Sequence, residues 1–239
     1  MKRIVWMIQG MLTIVLLALL SQDCIAGVVI EQIMRDAQGK TSTVFLYFSD
    51  SRLRTDHPEG GVATIMDFKN DRMVMIDHRS KNYAEAKFSQ WEKEVSKGLK
   101  RETTAMKPRR REILVRKTGE TAIINGFRTE KIEILADGQL LEEDWVTRDV
   151  DLKEIEKVME RVAKGFSRDF RSEMREGREI YEKLKPHGFP ILVKDYTATY
   201  GLKGSDVVEV KRIERKELKE EIFLPPPHYQ RIIPEKPEK

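Results

Sequence analysis

Residues 51–78, SRLRTDHPEGGVATIMDFKNDRMVMIDH, hold the strongest architectural signal in the chain. Pro58-Glu59-Gly60-Gly61 is a strong turn signal. Val62 to Phe68 is a short apolar run of strand length. Lys69-Asn70-Asp71 is a hairpin turn, and Arg72 to His78 is a second run of the same kind. Two runs joined by so short a turn can only pair antiparallel, because a parallel crossover needs a dozen or more residues. The same rhythm extends upstream. Val28 to Arg35, Ser42 to Phe48 and Arg52 to Asp56 are runs separated by Ala37-Gln38-Gly39-Lys40 and Ser49-Asp50-Ser51. This predicts a meander and excludes alternating βαβ units.

The period changes further on. Phe88, Trp91, Val95 and Leu99 are spaced as a helical stripe. Thr103 to Arg111 reads as a linker carrying Lys107, Arg109, Arg110 and Arg111. Strands resume at Glu112 to Lys117, Phe127 to Leu135 and Gln139 to Thr147, with Asn125-Gly126 and Asp137-Gly138 as tight turns. A helical insert is expected at about 151–184. Asp151 and Glu154 form a capping box, Leu152, Ile155, Val158, Met159, Val162 and Phe166 form an apolar stripe, and a break falls near Gly165. Pro186, Gly188 and Pro190 stop it. Two strands follow, about Pro190 to Tyr200 and Asp206 to Lys216, before a proline-rich tail at 225–239. The expected fold is α+β: a single curved antiparallel sheet wrapped around helices, occupying 27–224.

Residues 1–26 have a basic start (Lys2, Arg3), an apolar stretch densest from Met11 to Leu20, and a small-residue end at Cys24-Ile25-Ala26. That order predicts a cleaved secretory signal, with an uncleaved anchor as the alternative. Cleavage after Ala26 removes two bases, one acid and the only cysteine. The formal charge of the 239-residue chain then falls from +4 to +3. The expected location is the periplasm or cell envelope. Without thiols the exported domain needs a conventional core rather than disulfides. With 44 Lys+Arg against 40 Asp+Glu, the acids nearly match the bases, which argues against nucleic acid as a partner.

Candidate chemistry is sparse. His57, His78, His187 and His228 are scattered, and no nucleophile-elbow or zinc-protease motif accompanies them. Asp77-His78 is adjacent in a strand, so the two side chains point to opposite faces. Asp67, Asp71 and Asp77 lie near one hairpin and read as turn acids. No catalytic residue, metal or cofactor is expected. The basic run at 107–111 serves either as a solvated linker or as a peripheral contact with anionic headgroups. The apolar residues are the stronger signal. Val28, Ile30, Val44 and Val193 are candidates for one buried face. The same face is expected to take Leu46, Phe48, Met73, Met75, Ile132, Ile134, Trp145 and Ile191, and these eight are the candidate ligand-binding set; ten methionines suit an adaptable apolar pocket.

Further residues carry a resemblance. They are Asp67-Phe68, Met75-Ile76-Asp77-His78, Lys81-Asn82-Tyr83-Ala84, Thr118-Gly119-Glu120 and Ile124-Asn125-Gly126-Phe127. Others are Thr129-Glu130-Lys131, Asp137-Gly138, Glu143-Asp144-Trp145-Val146, Gly188-Phe189-Pro190 and Phe223-Leu224-Pro225. Together they resemble an uncharacterised family of exported bacterial domains in the LolA-like superfamily of outer-membrane lipoprotein carriers. The resemblance implies a half-open barrel with helices plugging its concave side, where better-known relatives hold acyl chains. Two functions follow. One is an envelope domain binding an apolar or lipid-like ligand, as a lipid or lipoprotein carrier or sensor does. The other is a periplasmic protein-interaction or sensor domain with a filled core, no ligand and an unknown partner.

Overall fold

A computed structural model describes residues 24–36, 38–91, 111–150, 153–165, 172–196 and 206–233. Twelve strands among them form one sheet. They are β1 (Cys24–Arg35), β2 (Thr41–Ser49), β3 (Arg52–His57), β4 (Val62–Asp67), β5 (Arg72–Asp77) and β6 (Asn82–Lys87), then β7 (Ile113–Ile124), β8 (Phe127–Ala136), β9 (Gln139–Thr147), β10 (Phe189–Asp195), β11 (Asp206–Lys219) and β12 (Gln230–Ile232). Helices α1 (Lys153–Gly165) and α2 (Ser172–Leu184) lie between β9 and β10. The order across the sheet is β12-β6-β5-β4-β3-β2-β1-β11-β10-β9-β8-β7. Neighbours are antiparallel except β12, which runs parallel to β6. Two meanders are thus joined where β1 meets β11, from Cys24 opposite Lys219 to Arg35 opposite Val207.

Alternation gives the sheet two different faces. On the inner face Val28, Ile30, Phe48, Leu53, Ile191 and Val210 bury Ile155 and Val158 of α1. Further along, Ile113, Ile132, Ile134, Ala136 and Val146 receive Ile180 and Leu184 of α2. On the outer face Val29, Ile65, Val74 and Ile76 pack with Leu218 and Phe223. Phe223 ends a 3-10 turn, Glu220–Phe223, laid across β3. Arg52 stacks 4.7 Å above its ring and pairs with Glu220 at 3.0 Å.

The sheet curls toward the inner face. Asn125, in the β7–β8 turn, donates from Nδ2 to the Val210 carbonyl and to Glu209 Oε1, each at 2.8 Å. In the sheet β9 and β10 separate β8 from β11. A flat sheet would hold these groups roughly 14 Å apart, three strand spacings. Ile124 and Phe127 accordingly pack against the cluster under α1.

The meander, the two tight turns and a helix end at Gly165 agree with the sequence reading. Asn125, Gly126, Asp137 and Gly138 all have positive φ, as a two-residue hairpin demands. Three features differ. β6, Asn-Tyr-Ala-Glu-Ala-Lys, forms where the sequence pattern predicts no strand, since Ala, Glu and Lys are poor strand formers. β1 begins at Cys24, ahead of Val28. The tail also returns to the sheet: Tyr229 meets His78, its hydroxyl 3.0 Å from Nδ1, and Gln230 N–H bonds the Lys81 carbonyl to start β12. Asp151, Lys107, Arg109, Arg110, Val95 and Leu99 lie outside the described residues.

Candidate functional site

The structure distributes the eight predicted ligand residues along the sheet rather than around one cavity. Leu46, Phe48, Met73, Met75, Ile132, Ile134 and Ile191 fall on the inner face by register. Phe48 and Ile191 are buried against α1, and Ile132 and Ile134 lie beneath α2. Leu46 is half-buried beside the first group. Met73 is buried on β5, whereas Met75 is 40% exposed. Trp145 takes the outer face, opposite Lys131 and Leu192. Asp144 and Val146 hold the inner positions on β9, so the expectation that Trp145 turns inward is corrected by the register.

An apolar cavity of about 230 Å³ lies between α1, α2 and the start of β10. Its walls are Val150, Ile155, Met159, Leu184, Phe189 and Pro190, with Tyr181, Glu156 and Lys185 also lining it. Lys185 reaches from the end of α2 to Glu160 at 2.9 Å and Glu156 at 3.5 Å. It thereby ties the two helices together beside the cavity. Burial pushes the Tyr181 hydroxyl above its ordinary pKa. The eight predicted residues are not among the described lining of this cavity. Its residues were legible only as parts of a helical stripe and a strand start, which sequence spacing does not bring together.

A second arrangement is polar. Glu142 on β9 stands opposite Asp195 on β10, and Asp195 stands opposite Asp206 on β11. Asp144, two residues along β9, shares their face with Ile132, Ile134 and Val193. Asp144 is 1% exposed, and neither carboxylate oxygen has a hydrogen-bond partner among the described residues. Asp206 Oδ1 is buried in the same condition. Burial, then the charges of Glu142 and Asp195, push the Asp144 carboxyl up to about 8. Burial, then the charge of Asp195, push Glu142 up to about 7. Both carboxyls therefore keep their protons to a pH well above the ordinary carboxylate range. Like charges directly opposite destabilise a sheet, so the row is a local violation of the fold's own rules. The signal for it was the run Glu142-Glu143-Asp144. Whichever face of this run turns inward carries acid with it, and the register turns Glu142 and Asp144 inward.

The histidines are dispersed. His78 holds Tyr229. His57 lines a surface depression with Glu59, Arg79 and Asp206. Asp67, Asp71 and Asp77 accept hydrogen bonds from Asn70, from Ser89 and from the Arg79 and Ser80 N–H groups. Among the described residues no group of three or more His, Cys, Asp or Glu side chains could hold a metal ion. Nor is any described helix long and apolar enough to cross a membrane.

Fold and site define an α+β domain built on one curled, open antiparallel sheet whose helices cover part of one face. The chain belongs to the family described as Domain of unknown function (DUF4412), which it matches over residues 27–229. No curated protein matches it. It is similar to an uncharacterized conserved protein from Thermus thermophilus, at 8% identity and a TM-score of 0.47, over 87% of this chain and 90% of that one. It is also similar to MucB in complex with MucA(peri), at 9% identity and a TM-score of 0.43 over 86% of this chain. A LolA superfamily protein, NE2245 from Nitrosomonas europaea, matches at 8% identity and a TM-score of 0.29, over 85% of this chain and 90% of that one. The chain spans 56% of MucB and 31% of PNGF-II, another solved structure it matches.

Proposed function

We propose that this chain is an exported, non-catalytic domain that binds an apolar or lipid-like ligand non-covalently between its helices and the inner face of a half-open barrel. The observation that carries this reading is the apolar cavity beneath α1 and α2, walled by Ile155, Met159, Leu184 and Phe189. Two amphipathic helices border it. Apolar contact rewards chain length at about 0.8 kcal/mol per buried CH₂, so a long chain binds at micromolar strength without polar contacts. Export rests on the basic, apolar and small-residue order of residues 1–26.

Native mass spectrometry of protein recovered from the envelope tests both parts. The expected spectrum shows a chain starting at Gly27 with a co-purifying lipid that collisional activation releases. A clean apo mass, together with no uptake of a fluorescent fatty acid, overturns ligand binding. A full-length mass from the membrane fraction overturns cleavage. The second reading, a protein-interaction domain, is favoured by one feature: β7 is an edge strand that exposes Leu114 and Ile123. Such an edge can accept a partner strand.

A further inference from the structure

We propose that the cavity between α1, α2 and the start of β10 takes a single medium-length hydrocarbon chain, of about nine carbons, and that Met159 sets that length. This rests on the reading of the domain as a ligand binder and names the class of its ligand: one medium-length chain rather than a diacyl or triacyl lipid.

The cavity measures about 230 Å³. A dry apolar cavity of about 150 Å³ holds one benzene, which allows roughly 25 Å³ per carbon. On that allowance 230 Å³ holds about nine carbons, and the chains of a diacyl lipid need several times the space. The walls suit a hydrocarbon, with Ile155, Met159, Leu184 and Phe189 among them. They are also fixed. Ile155 and Leu184 are buried in the clusters under α1 and α2. Lys185 spans the two helices to Glu156 and Glu160. Gly188, at the start of β10, lies close against the Thr147 backbone. Walls packed in this way do not swell to admit extra methylenes without strain. Carbons beyond the cavity's capacity therefore stay in water and add no affinity. Glu156 and Lys185, the charged groups of the lining, pair with each other, so the site reads chain length rather than head-group charge. Met159 is the wall that sets the limit with least cost to the core. It is half-buried and unbranched, whereas Ile155 and Leu184 hold the helices to the sheet.

The test is a length series: hexanoate, octanoate, decanoate, dodecanoate and hexadecanoate displace a fluorescent fatty acid from the purified protein. Each added CH₂ is expected to tighten binding about fourfold as far as decanoate. From decanoate to hexadecanoate the whole gain should stay under about twofold. Affinity that keeps climbing at the first rate to hexadecanoate overturns the proposal and leaves the apolar-ligand reading standing. Displacement by none of the series overturns the proposal, and if the fluorescent fatty acid does not bind either, the ligand reading falls with it. Met159→Ala removes most of one wall and should move the break to dodecanoate. Met159→Phe adds bulk and should move it to octanoate. A break that neither variant moves places the chain outside this cavity and overturns the assignment. If Met159→Ala does not fold, the unaltered protein and Met159→Phe still decide it.

Discussion

Asp144 makes stability depend on pH in a direction opposite to most carboxylates. Its pKa is raised on folding, to about 8, and that of Glu142 to about 7. The folded state therefore holds more protons than the unfolded state between about pH 4 and pH 8. Stability from this source is full below about pH 4 and is lost as pH rises through 7 and 8. A carboxyl displaced by two units or more is worth roughly 3 kcal/mol. Thermal melts should show a higher midpoint at about pH 6 than at about pH 8.5, and Asp144→Asn should flatten that slope. An unchanged midpoint across the window would mean that Asp144 is paired or hydrated. This residue also marks the limit of what was legible beforehand. Alternation put apolar residues such as Ile132 and Ile134 on one face, because bulky β-branched and aromatic side chains announce themselves. It missed the acids, because a buried charge contradicts every compositional expectation.

Among the elements, the connection from α2 into β10 is set by Gly188. Its φ is +134°, and a Cβ there would lie 2.3 Å from the Thr147 carbonyl oxygen. Both the backbone conformation and the close approach exclude a side chain. Gly188→Ala should cost at least about 2 kcal/mol in urea unfolding, since main chain rather than a flexible side chain must move. A loss below about 0.5 kcal/mol would mean that the strand start can shift. Turn chemistry made most elements readable in this way: Asn125-Gly126 and Asp137-Gly138 fix their hairpins unaided. β6 and β12 were illegible because their residues favour strands weakly. They are held instead by partners distant in sequence, β12 by Tyr229 against His78 and by Lys81.

Across the domain, filled core and open cavity occupy different places, and one pair of substitutions separates them. Met159 borders the cavity, so Met159→Trp should fill it. The variant should take up less fluorescent fatty acid while losing under about 1 kcal/mol of stability. Ile134 is fully buried under α2, where Ile134→Trp overpacks and should cost roughly 1–3 kcal/mol. If Met159→Trp leaves uptake unchanged, the ligand lies elsewhere on the inner face.

The seam between β1 and β11 bears on how the chain is made. β1 is flanked by β2, its immediate successor, and by β11, which is synthesised after nearly everything else. Loop closure across that span is entropically slow, and topologies rich in distant pairings fold slowly. Until β11 arrives, β1 presents an open apolar edge bearing Val28, Val29 and Ile30, which invites pairing with another molecule. A newly made chain spends that interval with the edge exposed. Its quality control therefore hinges on how quickly its last long strand finds its first.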